Sequence, residues 1–426
     1  MEAWEALLKD EWEKRHSSRP FTPGVSYIPT SGKVVSYPEV IAAADALLRG
    51  VWTADRYTRL FEKKIADITE RETAVMVNSG SSANYVAFRA LSGRAPKNFH
   101  VMTSAIAFPS TVWPIVEMGF KPLFLDVDLG TLNTTLEHIE NAYYSGCVGV
   151  VLAHTLGNPL DAFKIRRFCD EHNMFFLEDA CDALGSWVDG HPCGSWGHAA
   201  TISLYPAHPI TAGEGGVVLC NENLEREILK YRDWGRDCYC LPGKDNTCGK
   251  RFSQHVGGKD VRDHKYCYSA LSGNFKATDI QAAIAYVQTA HLASFVRTRR
   301  LNTHLLQEGL KDLPELILPS FLADAEPSLF GFAITIARDC DIEAKDMCEW
   351  LESKKIGTRP IFAGNIMEQP MGLRENIDFD AYGYLRNAYY AHRQSFWVGV
   401  WPGITIEMIN YMIERIREYV YAHRGH

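Results

Sequence analysis

The chain has 426 residues, 46% hydrophobic and 23% charged, the balance of a globular protein of roughly two to three domain-equivalents at about 150 residues each. Lys+Arg 44 against Asp+Glu 52 leaves a net charge of -8, which argues against a protein that tracks nucleic acid with clustered cations but leaves small anionic ligands open. No apolar run approaches the ~18 residues of a membrane span, and residues 1–19 mix acids and bases without an apolar signal segment, so the expectation is a cytoplasmic protein with neither a membrane nor a nucleic-acid partner.

From Glu72 to Cys220 short β-rich runs alternate with helical patterns, the rhythm of a parallel α/β sheet. Strands are predicted at 74–78, 101–104, 122–127, 148–153, 174–178, 200–204 and 216–220, with helices such as 82–91 and 161–172 between them. Continuous apolar strands imply burial on both faces. After Asn274 a helical periodicity carried by Leu292, Phe295, Leu301, Leu305 and Leu310 ends near Pro314 and reads as a connector. The remainder predicts a strand at 330–336, a helix at 342–354 and another strand near 356–361. A final helix begins at Thr405, with Ile409, Ile413, Ile416 and Val420 on one face. Residues 1–290 are expected to form an N-terminal segment and a large domain, and residues 291–426 a smaller C-terminal α/β domain.

Three segments of the first part carry chemistry. Asn78-Ser79-Gly80-Ser81-Ser82-Ala83 sits between a predicted strand and a predicted helix. Glycine allows close backbone approach, and the free N–H groups at a helix start favour an anion such as phosphate; a plain turn with its N-cap is the alternative. Leu177-Glu178-Asp179-Ala180-Cys181-Asp182 places carboxylates at the carboxyl end of a buried strand, where open α/β sheets bind ligands. An acid there can hold a proton on a cofactor ring nitrogen, or simply cap the next helix. Walker-type signatures are absent, which disfavours a nucleotide triphosphatase.

The third segment runs from Ser203-Leu204-Tyr205-Pro206-Ala207-His208 to Gly213-Glu214-Gly215-Gly216. Here the chain resembles the DegT-type sugar aminotransferases, vitamin B6 enzymes of aspartate-aminotransferase fold (fold type I), with a mainly parallel sheet and a smaller C-terminal α/β domain. The resemblance runs from about Val51 to the end and includes Gly80-Ser81-Ser82, Phe108, Glu178-Asp179 and Gly273-Asn274-Phe275-Lys276. It implies that Gly80, Ser81 and Ser203 hold the cofactor phosphate, that Phe108 stacks on the pyridine ring, that Asp179 pairs with the ring nitrogen, and that Asp182 lies beside the ring hydroxyl. Asn274 would reach the phosphate in a neighbouring subunit, which implies a homodimer. His208 stands where the family has its cofactor-anchoring lysine. An imidazole cannot tether the cofactor but can move a proton, so the expected cofactor is pyridoxamine 5'-phosphate held noncovalently, with His208 as base and Tyr205 beside it. Arg359 is the candidate for substrate phosphates or sugar.

Eleven cysteines, an odd count, do not suggest a secreted disulfide framework. Cys181, 56 intervening residues, Cys238-x-Cys240, seven residues and Cys248 make a set of four thiolates able to fill a [2Fe–2S] cluster; unrelated free thiols and a tetrahedral zinc site remain open on spacing alone. With the lysine-to-histidine change, the set resembles the iron–sulfur dehydrase branch of the family. That resemblance implies a 3-dehydrase acting on a nucleotide-linked 4-keto-6-deoxyhexose, CDP-4-keto-6-deoxy-D-glucose first. Electrons would come from a flavin/iron–sulfur reductase or a ferredoxin-type donor. A cluster-free dehydratase and a noncatalytic sugar-nucleotide-binding relative are the alternatives.

Overall fold

Seven strands, β1 (Thr73–Val77), β2 (His100–Ser104), β3 (Lys121–Leu125), β4 (Cys147–Ala153), β5 (Phe175–Asp179), β6 (Ala199–Ser203) and β7 (Gly216–Cys220), fall within two residues of the predicted runs. In this computed structural model, which describes residues 2–16, 20–93, 95–96, 98–240, 244–253, 255–256, 259–260, 263–375, 377 and 379–424, they lie in one sheet in the order β1-β7-β6-β5-β4-β2-β3. Neighbours from β6 to β3 pair parallel, whereas β7 runs antiparallel to both β1 and β6. The fold is therefore α/β with a mainly parallel sheet. Every strand but β7 points the same way, so the turns after β1, β2, β4, β5 and β6 gather along one edge, the place where such sheets bind ligands.

The strands are buried almost throughout, as expected of a sheet covered by helices on both faces. On one side Val86, Ala87 and Phe88 of the helix Gly80–Ser92 pack with Val75, Val77 and Val218. On the other, Phe61 and Ile65 of the helix Arg56–Ile68 pack with Met76, Ile202 and Val217. Each of the valine, isoleucine, methionine and phenylalanine side chains contributes about 1.5–3 kcal/mol by leaving water.

The C-terminal part contains β8 (Leu316–Ile317), β9 (Gly331–Ile336), β10 (Arg359–Pro360), β11 (Asp380–Ala381) and β12 (Ser395–Gly399). Four of these form an antiparallel sheet in the order β8-β9-β12-β10, while β11 pairs parallel with β3 and extends the large sheet. The helices Leu292–Leu310, Ala344–Ser353 and Ile406–Ala422 cover the smaller sheet through Leu306, Met347, Leu351, Ile409 and Ile416. Thr405 caps the last helix by accepting the Met408 N–H at 3.3 Å.

Several expectations are corrected. The strand predicted near 356–361 shrinks to β10, because Ile28 takes the backbone of its first half: the Ile28 N–H bonds Lys355 O at 2.8 Å and the Gly357 N–H bonds Ile28 O at 2.9 Å. Pro360 then has no N–H with which to prolong the ladder. In the helix Leu292–Leu310 the predicted Leu301 is exposed, and the inner face is completed by Arg299, Asn302 and Leu306. Arg299 donates to the carbonyls of Leu329 and Phe330 at 3.0 and 3.1 Å, a role that hydrophobic periodicity cannot register. β12 lies outside the predicted elements; it follows the helix Arg386–Gln394 without a breaker residue between them. Among the described residues no helix is long and apolar enough to cross a membrane.

Candidate active site

The turn after β1 is built for close approach. Ser79 caps the helix Gly80–Ser92 by accepting the Ser82 N–H at 3.0 Å. A Cβ on Gly80 would lie 2.7 Å from Ser203 Cβ, so only glycine lets this helix start press against the end of β6. Gly80, Ser81 and Ser203 thus converge on one wall of a cavity of about 550 Å³. Phe108, half-exposed, lines the same cavity and lies edge-on to Phe362 at 6.4 Å between centroids.

The two carboxylates at the end of β5 have separate fates, because alternate residues of a strand face opposite ways. Glu178 is fully buried, faces away from the turn and accepts the Trp196 and Gly197 N–H groups at 3.1 and 2.8 Å, with His154 Nε2 at 2.8 Å. It holds the 194–197 loop. Asp179 instead lines the cavity: its Oδ2 accepts from Asn84 Nδ2 and Thr111 Oγ1, both at 2.8 Å, and its Oδ1 from the Cys181 N–H at 3.2 Å. Charge-assisted bonds of this kind fix a carboxylate's orientation. Asn84 and Thr111 were not legible as site residues, for each lies in a helix with other polar residues and no local feature sets it apart.

His208 lies on the loop after β6 and lines the cavity together with Asp179, Asp182 and Tyr205. Its backbone N–H bonds Tyr205 O at 3.0 Å, its ring packs on Phe330 with centroids 5.3 Å apart, and its Nδ1 is 3.2 Å from Asp182 Oδ1. Phe330, from the loop before β9, carries the C-terminal part into the site. Tyr205 is half-exposed, its ring 6.5 Å from that of His208. Arg359 on β10 also lines the cavity; its side chain is exposed, with its guanidinium bonded to Thr358 O at 2.7 Å and 3.8 Å from Glu352 Oε1. Asn274 is not among the cavity-lining residues of its own chain: it is exposed, and its Oδ1 accepts from Lys276 Nζ at 2.7 Å.

The four predicted cysteine ligands are only partly brought together. Antiparallel bridges between Asp233 and Asn274 and between Arg236 and Tyr268 pinch the base of an excursion that carries Cys238, Cys240 and Cys248. Ligand atoms of Cys238, Cys248 and His264 lie within 4.8 Å of one another. The Cys248 N–H bonds Cys240 Sγ at 3.4 Å, and His264 Nδ1 is 3.3 Å from Cys248 Sγ. Burial opposes ionisation of Cys240, yet hydrogen bonds from Thr247, the Cys248 backbone and the neighbouring thiols bring it down to about 7; burial pushes Cys238 up to about 11. Cys181 stands outside this group among the described residues. It lines the large cavity, 3.9 Å from Thr201 Oγ1, and burial raises its thiol well above the ordinary value. The buried His264 had no spacing signal, because it joins the thiols only through the fold of the excursion.

The chain is 40% identical over 412 residues (95% of this chain, 94% of the other) to the lipopolysaccharide biosynthesis protein RfbH of Salmonella typhimurium. It is 42% identical over 418 residues (96% and 90%) to the dTDP-4-dehydro-2,6-dideoxy-D-glucose 3-dehydratase of Saccharopolyspora spinosa. Among solved structures, an E. coli GDP-4-keto-6-deoxy-D-mannose-3-dehydratase with bound hydrated PLP superposes with a TM-score of 0.83 at 25% identity, covering 92% of this chain and all of that one (100%). Residues 37–417 match the family model, and the chain belongs to the DegT/DnrJ/EryC1/StrS aminotransferase family.

Proposed function

We propose that the chain is a pyridoxamine-phosphate-dependent 3-dehydrase that removes the C3 hydroxyl of a nucleotide-linked 4-keto-6-deoxyhexose in deoxysugar biosynthesis, with CDP-4-keto-6-deoxy-D-glucose as the leading substrate. The observation that carries this reading is a histidine, His208, on the wall of the cavity that Asp179 also lines, where the family has an anchoring lysine. The relatives named as sugar-nucleotide 3-dehydratases support it. The residues present suit the cofactor. Gly80 brings its helix start against Ser203 on the cavity wall, since a Cβ there would overlap the serine, and the Asp179 carboxylate lines the same cavity, oriented by Asn84 and Thr111.

When bound, pyridoxamine phosphate supplies an amine for the 4-keto group and a ring able to take up electrons as the C3 hydroxyl leaves. Gly80, Ser81 and Ser203 hold its phosphate and Phe108 covers its ring. Asp179 keeps the ring nitrogen protonated. His208 takes the proton from the methylene carbon, and Tyr205 serves the leaving oxygen. Arg359 meets the charge of the substrate phosphates. Cys238, Cys240 and Cys248, with Cys181 as the fourth, would hold a [2Fe–2S] cluster, whose chemistry is single-electron transfer from a flavin/iron–sulfur reductase or ferredoxin-type donor. The exposed Asn274 is the residue by which a homodimer would share its sites.

The test is proton exchange. Enzyme loaded with pyridoxamine phosphate and a 4-keto-6-deoxyhexose linked to CDP, dTDP or GDP should incorporate solvent deuterium at the cofactor methylene, most rapidly with the CDP sugar. His208→Asn should lower that rate by about 10²–10⁴-fold, the usual contribution of a general base. Undiminished exchange in His208→Asn would refute the role of the histidine. A second reading, a cluster-free 3-dehydratase, is separated from the first by iron and acid-labile sulfide analysis of anaerobically purified protein.

A further inference from the structure

The turn that follows Asp179 holds its neighbour Asp182 in a different environment. The Ala183 N–H closes the turn on Ala180 O at 3.0 Å, and a Cβ on Gly157 would lie 2.8 Å from the Asp182 carbonyl, so packing against Gly157 fixes the turn. The Asp182 side chain is 8% exposed and its Oδ1 is 3.2 Å from His208 Nδ1. That contact is at ion-pair distance, but its alignment falls short of a hydrogen bond, and Nδ1 has no other partner among the described residues. Behind the pair lies Arg299, 1% exposed, whose charge is felt by Asp182 but whose hydrogen bonds go to the carbonyls of Leu329 and Phe330. Arg299 therefore does not take the place of the imidazole beside Asp182. The ring itself is hemmed in by Phe330 and anchored through its backbone to Tyr205.

From this geometry we infer that Asp182 is the positioning residue of His208, holding the imidazole as its Nδ1–H tautomer with Nε2 as the proton-accepting atom, rather than a contact to the cofactor ring hydroxyl. The inference rests on the reading of His208 as base. A neutral imidazole has one N–H donor and one acceptor nitrogen, and a carboxylate at Nδ1 accepts only if the proton is there. Once Nε2 has taken the proton, the imidazolium faces an ionised carboxylate in a buried setting, where opposite charges attract more strongly than in water. This arrangement also gives the position beside Cys181 a use that a ring-hydroxyl contact does not require: a carboxylate suits an imidazole N–H better than it suits a phenolic oxygen that tends to ionise.

The test uses the full-length protein carrying ¹⁵N-labelled histidine and its Asp182→Asn and Asp182→Glu variants. In the cofactor-free wild type the His208 ring should give the long-range ¹⁵N–¹H pattern of the Nδ1–H tautomer. Asp182→Asn should move that pattern toward Nε2–H and lower cofactor deuterium exchange by about 10²–10⁴-fold, as in loss of the base, while pyridoxamine phosphate still binds. Asp182→Glu, which keeps the carboxylate, should restore the tautomer and much of the exchange. An Nε2–H tautomer in the wild type overturns the inference, as does unchanged exchange in Asp182→Asn, or a loss confined to cofactor affinity. If Asp182→Asn does not fold, the wild-type tautomer and the Asp182→Glu variant still decide. Undiminished exchange in His208→Asn would instead remove the base reading, so the two failures are distinct.

Discussion

Replacing Asp179 by Asn tests the centre of the site with a change of almost no volume. Asp179 Oδ2 accepts two bonds, from Asn84 and Thr111, and Oδ1 accepts one from the Cys181 N–H. A carboxamide has one oxygen. If that oxygen takes the Oδ2 position, the new NH₂ faces the Cys181 N–H; if it takes the Oδ1 position, the NH₂ faces that of Asn84. Flipping Asn84 offers no escape, because its Oδ1 accepts the Thr201 hydroxyl at 2.6 Å. At least one buried donor loses its acceptor, which costs about 1–3 kcal/mol, and in a chain of this length that lowers the melting temperature by on the order of 1–3 °C. The cofactor ring loses its charged partner as well. Truncating one member of a buried charged pair costs about 2–5 kcal/mol, or roughly 30-fold to 4,000-fold in a rate or an equilibrium. Calorimetry of the cofactor-free protein reads the first effect and deuterium exchange at saturating pyridoxamine phosphate reads the second. A variant that melts with the wild type and exchanges at the wild-type rate would refute both the hydrogen-bond assignment and the role of the carboxylate.

Gly80→Ala should separate the helix start from β6, because the added Cβ meets the Ser203 backbone at 3.2 Å as well as its side chain. A cost of about 1–3 kcal/mol is expected for such overpacking, with weaker binding of pyridoxamine phosphate, and unchanged values in both denaturation and cofactor titration would contradict the close approach. Cys240→Ser should abolish the visible absorption and iron content of anaerobically purified protein; zinc at full occupancy without iron in the wild type would exclude the cluster. Burial raises the Glu62 carboxyl to about 7, against the pull of Arg232 and the Met76 N–H. A carboxyl whose folded value exceeds its unfolded one contributes stability below about pH 4.5 that is lost as pH rises through about 7. Glu62→Gln should therefore flatten the fall in denaturant stability across that window, and an unaltered slope would show that another group is responsible.

Local pattern was enough to locate much of this protein. The seven strands β1 to β7 each bury a continuous apolar run, and such a run bounded by turn residues leaves little freedom in where a strand lies. Gly80 and Asp179 were legible as site candidates because each sits at the carboxyl end of a strand, and a parallel sheet delivers those ends to one edge; His208, on the loop beyond Ser203, was legible only through the resemblance of its surrounding motif to the family. The division of labour between Glu178 and Asp179 was not legible: adjacent residues of a strand face opposite ways, and only the packing of the 194–197 loop shows which side is solvent-free.

Contacts between distant segments decided the rest. Arg299 and Phe330 reach the site from helices and loops far along the chain, Asn84 and Thr111 hold Asp179 from two separate helices, and His264 joins the thiols through an excursion closed at Asp233 and Asn274. None of these has a local signature, because a polar side chain satisfied by a distant carbonyl or carboxylate is indistinguishable in sequence from one bonded to water. The placement of Cys181 on the cavity wall, and of Asp182 beside His208, follows from tertiary packing alone: residue spacing limits which groups can meet, and the three-dimensional path of the chain selects which of them do.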